Sequence, residues 1–246
     1  MTPPVLQGRA DLHIHTTASD GIHTLRQVLD HVARRGNLDV IAITDHDRLD
    51  ASLTAYSQRH LYDFEIVPGL EVTTADGHVL ALWVTSPIPK GMSLSETTAA
   101  IHEQNGVAVL AHPLEPTIAP HTFWRYLTQP EVLQQSGVDA VEVFNAGAFT
   151  PGCNRLARYA YHRSTLPQLG NSDSHMVATI GSGYTRFKGC TALDLRESIE
   201  RGDTAAEGTR WGITVYLRLS RSFIQRTLTN SSMAKRHSVH QTPASS

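Results

Sequence analysis

The sequence contains few cysteines and no long run of apolar residues, and both absences exclude classes of protein. Cys153 and Cys190 are the only cysteines among 246 residues, and they lie too far apart for a zinc ribbon or a redox pair. A reducing compartment fits best and we expect a cytoplasmic protein, although one disulfide is compatible with two cysteines.

The apolar stretches are strand-sized, so no membrane partner is expected. We also expect no signal peptide, because Met-Thr-Pro-Pro is not followed by a basic and then an apolar segment.

The sequence also lacks a large excess of charge of one sign, since its formal net charge is -2. The charge is nevertheless uneven: the residues after Glu207 carry +6 and the preceding part of the chain carries -8. A basic tail can bind a polyanion such as nucleic acid, and it can equally be a solvated end. We expect one main domain over residues 1–208 and a basic C-terminal extension over residues 209–246 whose end is disordered.

Apolar runs of strand length alternate with helical patterns along the chain. Most runs are too uniformly apolar for a half-exposed strand, which indicates a parallel sheet covered on both faces. Ser93 with Glu96 predicts a capping box, and Gly36 and Gly202 mark helix ends. The alternation predicts an α/β fold, either a barrel or a doubly wound sheet. The predicted strands are Ala10–Ile14, Val40–Ile43, Glu65–Leu70, Val79–Val84, Val107–Leu110, Ala140–Phe144 and Leu166–Leu169, and the predicted helices are Leu25–Arg35, Ser52–His60, Ser95–Asn105, Asn154–His162 and Leu193–Arg201.

Side chains of the types that bind metals occur in five short clusters, and nearly every cluster follows a predicted buried strand. In a barrel such strand ends converge on one point. A folded chain tolerates so many titratable groups together only if their charge is satisfied, and metal ions usually do this. The clusters contain His13, His15 and Asp20, then His46, then Glu71 and His78, then His112, and finally Asp173 and His175.

The first cluster illustrates the geometry that we expect. Asp11, His13 and His15 point to the same side of a strand, because side chains alternate between its faces. Two imidazoles roughly 6–7 Å apart on one face can bind one ion or two neighbouring ions. An isolated His-x-His is often a chance surface pair, but here it ends an apolar strand and Asp20 follows closely.

The other clusters add further expectations, although each of them alone could be a solvated turn or a helix cap. Asp45 or Asp47 could orient the imidazole of His46. Pro113 is expected to restrict His112 to extended backbone geometry. Glu71 is distinctive because a carboxylate can bridge two cations, whereas an imidazole cannot.

Five motifs taken together resemble those of the PHP (polymerase and histidinol phosphatase) family, in order from Asp11 to Arg201. The resemblance implies a distorted (β/α)7 barrel of the PHP type, related to the TIM barrel, with two or three divalent ions at the carboxyl ends of its strands. It also implies hydrolysis, usually of phosphate esters, and it implies all nine clustered side chains as metal ligands. The motifs are Asp-Leu-His-Ile-His-Thr-Thr-Ala-Ser-Asp-Gly, Ile-Thr-Asp-His-Asp, Gly-Leu-Glu-Val-Thr, Ala-His-Pro and Asn-Ser-Asp-Ser-His.

Imidazole and carboxylate ligands without thiolate suit Mn, Zn or Fe, and the sequence does not choose among them. Our hypothesis is that Glu71 bridges two ions and that a third ion lies beside them. A bridging water would ionise near neutral pH and attack phosphorus in line. The hypothesis assigns His13, His15, His112 and Asp173 to the bridged pair and Asp20, His46 and His175 to the third ion, with Glu71, Asp173 and His175 as the catalytic residues.

Three functions remain open on the sequence alone. The first is a phosphoesterase acting on a small phosphate ester, a nucleotide or an oligonucleotide end. The second is a hydrolase of carbamate, ester or amide bonds that uses the same metal site, and the third is a non-catalytic, metal-bearing regulatory module. Arg155 could bind a substrate phosphate or carboxylate, or it could form a surface salt bridge. No obligate protein partner is expected.

Overall fold

A computed structural model of the chain describes residues 6–221. The chain divides into two compact units, Met1–Arg210 and Trp211–Ser246, which we treat separately. In the second unit, residues 213–221 are helical. Most of the predicted basic extension falls on residues 222–246, outside the described residues, and its boundary, its disorder and its binding to polyanions stay predictions.

Within the described residues, nine strands form one sheet, and helices or loops connect most of them. The α/β fold expected from the sequence is confirmed. The order across the sheet is β7-β6-β5-β4-β3-β2-β1-β8-β9. The strands are β1 (Gly8–Asp11), β2 (Val40–Ile43), β3 (Glu65–Thr74), β4 (Gly77–Leu82), β5 (Val107–Leu110), β6 (Ala140–Asn145), β7 (Gln168–Asn171), β8 (Gly183–Phe187) and β9 (Thr204–Gly208), and the α-helices of the first unit are α1 (Leu25–Arg35), α2 (Asp50–Ser57), α3 (Leu94–His102), α4 (Phe123–Thr128), α5 (Glu131–Gln135), α6 (Cys153–Tyr161) and α7 (Ala192–Arg201), with 3-10 turns at Arg59–Leu61 and Val177–Thr179.

Strands β1 to β7 curve into a nearly closed barrel, because the segments that follow β1 and β7 meet. Ile14 and Ser174 form a parallel bridge between these segments. The Ser174 amide donates to the His13 carbonyl at 3.0 Å, and the His15 amide donates to the Ser174 carbonyl at 2.8 Å. The seven-stranded barrel implied by the family resemblance is therefore confirmed, and its closure brings the ends of the first and last barrel strands together.

The parallel arrangement expected for most of the buried strands is wrong for β4, which runs antiparallel to β3 and β5. β3 continues to Thr74, beyond its predicted end, and a two-residue turn at Ala75 and Asp76 folds the chain back. A two-residue turn permits only an antiparallel pair. The first residues of β4 therefore lie at the rim that is formed by the carboxyl ends of the parallel strands.

Two strands, β8 and β9, were not predicted from the sequence. β8 pairs antiparallel with β1 and with β9. Its side chains alternate between buried and half-buried, so it lacks the uniform apolar run that marks the other strands. Thr185 on β8 also exchanges hydrogen bonds with the backbone of Gly170 on β7. β8 thus fills the space between β1 and β7 away from the rim.

Helix ends follow the local sequence signals. The predicted capping box at α3 is confirmed, because Ser93 and Glu96 each accept from the other's backbone amide. Gly36 and Gly202 end α1 and α7 with left-handed φ values of 55° and 75°, which glycine adopts without strain. No helix among residues 6–221 has both the length and the apolar character needed to cross a membrane.

Candidate metal centre

All nine side chains of the five clusters predicted from the sequence lie at one rim of the barrel. Six of the seven barrel strands run in the same direction, so their carboxyl ends share this rim. The reversed strand β4 contributes His78 from its beginning instead of its end. His78 therefore lies at the same rim as the other candidate ligands, although its strand runs in the opposite direction.

Glu71 lies at the centre of the cluster and is 1% exposed. Its Oε2 atom is 3.1 Å from His13 Nε2 and 3.1 Å from His46 Nδ1. The same oxygen is 3.3 Å from His15 Nε2. The two carboxylate oxygens therefore face different imidazoles, since Oε1 is 2.9 Å from His78 Nδ1 and 3.1 Å from His112 Nε2.

Asp173 forms a second point of convergence beside Glu71. Its Oδ1 atom is 3.2 Å from His15 Nε2 and 3.4 Å from His13 Nε2. It is also 3.7 Å from His175 Nδ1. His13 and His15 thus lie between two carboxylates, with ring centroids 5.1 Å apart.

Asp20 defines a third, more open group. Its Oδ2 atom is 3.0 Å from His175 Nε2 and 3.9 Å from His46 Nε2, and its Oδ1 atom is 3.6 Å from His15 Nδ1. The Asp20 side chain is 39% exposed, whereas that of His15 is fully buried. The cluster therefore has a closed side inside the barrel and an open side at Asp20.

Several buried polar atoms indicate that the cluster is built for cations. Within residues 6–221, His13 Nε2, both ring nitrogens of His15 and Glu71 Oε2 are buried without a well-directed hydrogen bond. Such atoms are costly unless something binds them. Imidazole nitrogens and carboxylate oxygens within 4.8 Å of one another also form several groups that could hold an ion. The donor set fits divalent ions of the Mn, Zn or Fe type.

The pKa values of the metal-free cluster also indicate a site that binds cations. Burial raises the pKa of the Glu71 carboxyl, but the surrounding histidines outweigh it and hold that pKa well below its usual value. Burial lowers the pKa of His15, but the Asp173 and Glu71 carboxylates beside its ring outweigh burial and raise that pKa to about 10. Without metal, protons on imidazoles therefore balance the buried carboxylates, and a cation that binds there must displace protons.

Backbone strain accompanies two of the candidate ligands. His112 has φ 29° and Asp173 has φ 52°, both in the left-handed region. The expectation that Pro113 keeps His112 extended is therefore wrong. The His112 amide donates to Glu142 Oε2 at 2.9 Å while its ring reaches Glu71, and these two contacts hold the backbone in a conformation that ordinary residues avoid.

Three acidic residues near the motifs have roles other than those expected. Asp11 does not join His13 and His15, because β1 ends there and its carboxylate accepts from the amides of Ser172 and Gly181. Asp45 accepts from Thr16 and Ser19, and Asp47 accepts from the Thr73 amide. Asp45 and Asp47 therefore anchor backbone segments instead of orienting His46.

Replacing Asp45 by Ala is expected to lower the free energy of unfolding by about 2–4 kcal/mol, because three donors of the loop that carries Asp20 lose a charged acceptor. Urea denaturation followed by circular dichroism measures the change. Asp30→Asn is the control, since the only ion pair of Asp30 among residues 6–221 is an exposed one with Arg26. This substitution should lower the free energy of unfolding by less than about 0.5 kcal/mol. Equal, small changes for both variants would contradict the anchoring role.

Two residues of β6 were missed by the sequence reasoning. Glu142 and Asn145 are each 1% exposed, and both contact the cluster. A glutamate inside the apolar run Ala-Val-Glu-Val-Phe is a signal, because an ionised side chain in a buried strand needs partners. Arg155, by contrast, is exposed on α6 outside the cluster of nine, and its substrate contact stays a prediction.

The fold and the rim together define a nearly closed α/β barrel with a candidate polynuclear metal centre at the carboxyl ends of its strands. The family model described as PHP domain matches residues 11–135, and the model described as PHP-associated matches residues 151–204. The chain therefore belongs to the PHP family, as the motif resemblance predicted.

Individual relatives are consistent with this membership. The chain is 32% identical over 149 residues to an uncharacterised protein of Methanocaldococcus jannaschii, covering 56% of this chain and 82% of that protein. It is 41% identical over 187 residues to the 5′-3′ exoribonuclease Rnm of Salmonella typhimurium, covering 74% of this chain and 58% of the relative. The chain thus spans less than two thirds of that exoribonuclease.

A solved structure also shares the fold. It is a two-domain protein of Bacteroides vulgatus containing a predicted PHP-like metal-dependent phosphoesterase, with a TM-score of 0.67 and 19% identity. The match covers 85% of this chain and 68% of the other. At this identity the likeness supports the barrel fold alone.

Proposed function

We propose that the chain is a metal-dependent phosphoesterase that hydrolyses a phosphate ester of a nucleotide or of an oligonucleotide end. The observation that carries the proposal is the arrangement around Glu71, where one buried carboxylate faces five imidazoles and two further carboxylates lie beside them. Carboxylates and imidazoles that hold two neighbouring ions suit hydrolysis of phosphate esters, and two relatives of the chain are named as 5′-3′ exoribonucleases.

The two oxygens of Glu71 support the proposal that it holds two ions. Oε2 faces His13, His15 and His46, whereas Oε1 faces His78 and His112. His13, His15 and Asp173 would hold one ion together with Glu71 Oε2, and His78 and His112 would hold the other together with Oε1. The group around Asp20 supplies ligands for a third ion. When bound, such ions neutralise phosphoryl charge and lower the pKa of water to near neutrality.

The chain itself determines how a substrate reaches these ions. The closed side of the rim is built from Glu71 and His13, which solvent does not reach. The His46 side chain is 27% exposed and that of Asp20 is 39% exposed, so the phosphate approaches from their side. The buried ligands keep fixed positions, and the space beside the exposed ligands accommodates the phosphate ester. This arrangement favours a substrate whose phosphate lies at an accessible end of the molecule.

A side-by-side assay of the purified full chain tests the proposal. Mn²⁺, Zn²⁺ or Fe²⁺ is added with p-nitrophenyl phosphate, its bis-ester, a 5′-phosphorylated oligoribonucleotide or an aryl carbamate. We expect metal-dependent hydrolysis of the phosphate esters and stepwise shortening of the oligoribonucleotide from its 5′ end. Glu71→Gln purified in parallel is the control for contaminating nucleases.

Activity on the carbamate alone would contradict the proposal and favour the second function left open by the sequence. Bound metal without any hydrolysis would favour the regulatory function instead.

A further inference from the structure

Glu142 and Asn145, both on β6, contact the candidate metal centre from the inside of the barrel. They lie three residues apart, and both are buried. A β-bulge between Glu142 and Phe144 breaks the regular alternation of β6, which allows both side chains to face the cluster. Neither residue belongs to the predicted ligand set, so their contacts need a separate explanation.

Glu142 uses both of its oxygens to accept hydrogen bonds. Oε1 lies 3.2 Å from His13 Nδ1 and accepts from Asn171 Nδ2 at 2.9 Å. Oε2 accepts from the His112 amide and from Asn145 Nδ2, both at 2.9 Å. A carboxylate that already faces donors on every side is an orienting group and not a free ligand, although it lies within reach of the same ion as His13 and His112.

The contact with Glu142 determines which nitrogen of His13 can bind a metal. Nδ1 forms a hydrogen bond with the Glu142 carboxylate, whereas Nε2 has no well-directed partner among residues 6–221. When an ion displaces one proton from the ring, the contact with Glu142 therefore keeps the remaining proton on Nδ1, because an ionised carboxylate only accepts. Nε2, which lies 3.1 Å from Glu71 Oε2 and 3.4 Å from Asp173 Oδ1, is then the nitrogen that is left to bind the ion. Carboxylates that fix a ligand histidine in this way are common around protein-bound metals.

Asn145 performs the corresponding function for Asp173. Its amide nitrogen donates to Asp173 Oδ2 at 3.0 Å as well as to Glu142, which leaves Asp173 Oδ1 directed at the histidines. The reversed amide would place its oxygen against two carboxylates, so this orientation is the stable one. Asn154 holds the Asn145 backbone through hydrogen bonds at 3.1 Å and 2.8 Å.

We propose that Glu142 and Asn145 are a pair of positioning residues that direct His13 and Asp173 toward the same metal ion. The inference rests on the metal centre of the proposed function but adds residues outside its ligand set. It explains why a buried strand carries a charged and an amide side chain, and it predicts that the pair controls metal affinity without touching the metal.

The test measures metal affinity and not only hydrolysis. Glu142→Gln and Asn145→Ala are expected to weaken Mn²⁺ binding about 10- to 100-fold in competition with a chromophoric chelator. The visible absorption of the Co²⁺-loaded protein should change in both variants. Glu115→Gln is the matched control, because Glu115 is a buried glutamate of the same rim that accepts only from Thr117 and Thr150 among the contacts described. It should retain wild-type Mn²⁺ affinity and Co²⁺ absorption.

The outcomes separate this inference from the proposed function. Wild-type affinity and absorption in both variants would overturn the positioning role while leaving the phosphoesterase intact. A wild-type protein that binds no divalent ion would overturn both. A ¹⁵N NMR spectrum of zinc-loaded wild type gives a readout that needs no variant, and we expect the proton of His13 on Nδ1. A proton on Nε2 would overturn the inference.

Discussion

The Glu71→Gln protein is expected to hydrolyse phosphate esters at least about a thousandfold more slowly than wild type, a loss of roughly 4 kcal/mol in transition-state stabilisation. Both oxygens of Glu71 face imidazoles, so an amide in this place removes a negative charge and one of the two shared acceptor atoms. Ions that need this carboxylate would then bind weakly or in the wrong place. The measurement is kcat/KM on the bis-ester at saturating Mn²⁺.

The same variant should retain its fold, because glutamine has nearly the shape and volume of glutamate and leaves the packing of the barrel unchanged. Circular dichroism spectra and urea denaturation midpoints of the variant and the wild type measure whether the fold is retained. Glu103→Gln is the matched control: Glu103 is an exposed acid after α3, and its replacement should leave the rate within about twofold. A folded Glu71→Gln protein with undiminished metal-dependent activity would refute the central role of this carboxylate.

Removal of divalent ions by chelation and dialysis is expected to abolish hydrolysis and to lower Tm by roughly 5–10 °C at neutral pH. Ions that bind only the folded chain stabilise it by about 2.7 kcal/mol at a concentration of 100 Kd, which corresponds to such a shift in a domain of this size. Calorimetry before and after adding Mn²⁺ measures the effect. Mg²⁺, which favours oxygen ligands, is the matched control and should restore much less of the lost Tm and of the lost hydrolysis.

The stabilisation by metal should increase with pH. The raised pKa of His15, about 10, means that its charged form stabilises the metal-free protein fully below the unfolded value of 6.5, and that this contribution is lost as the pH rises toward 10. Metal binding has the opposite dependence, because protons compete for the imidazoles at low pH. The difference in Tm between the two forms should therefore widen from pH 6 to pH 9, and a difference that narrows would contradict the account.

The sequence predicts the parts of the fold that depend on local patterns. The bounds of α1 and β2 agree with the structure, because the helix has a capping residue and a terminal glycine and the strand is wholly apolar. The direction of β4 could not be predicted by the same reasoning. The apolar pattern of a buried strand does not depend on the direction of the strand. The direction of β4 is determined by the two-residue turn after Thr74.

The sequence likewise identifies some residues of the candidate site and not others. The nine clustered side chains could be named because eight lie in the five motifs, His78 follows Glu71 closely, and strand ends converge in a barrel. Their metal-binding roles stay predictions. Glu142 could not be placed because its partner His13 lies 129 residues away in the sequence, and nothing near Glu142 indicates that pair. Motifs thus identify residues at strand exits more readily than residues inside strands that support them.

Anomalous diffraction from a crystal grown with Mn²⁺ tests the account most directly. We expect at least two peaks beside Glu71, one near each carboxylate oxygen at about 2.0–2.2 Å, with a further peak between Asp20 and His175 when the third position is filled. No peak within bonding distance of Glu71, in a crystal that contains Mn²⁺ elsewhere, would contradict the account.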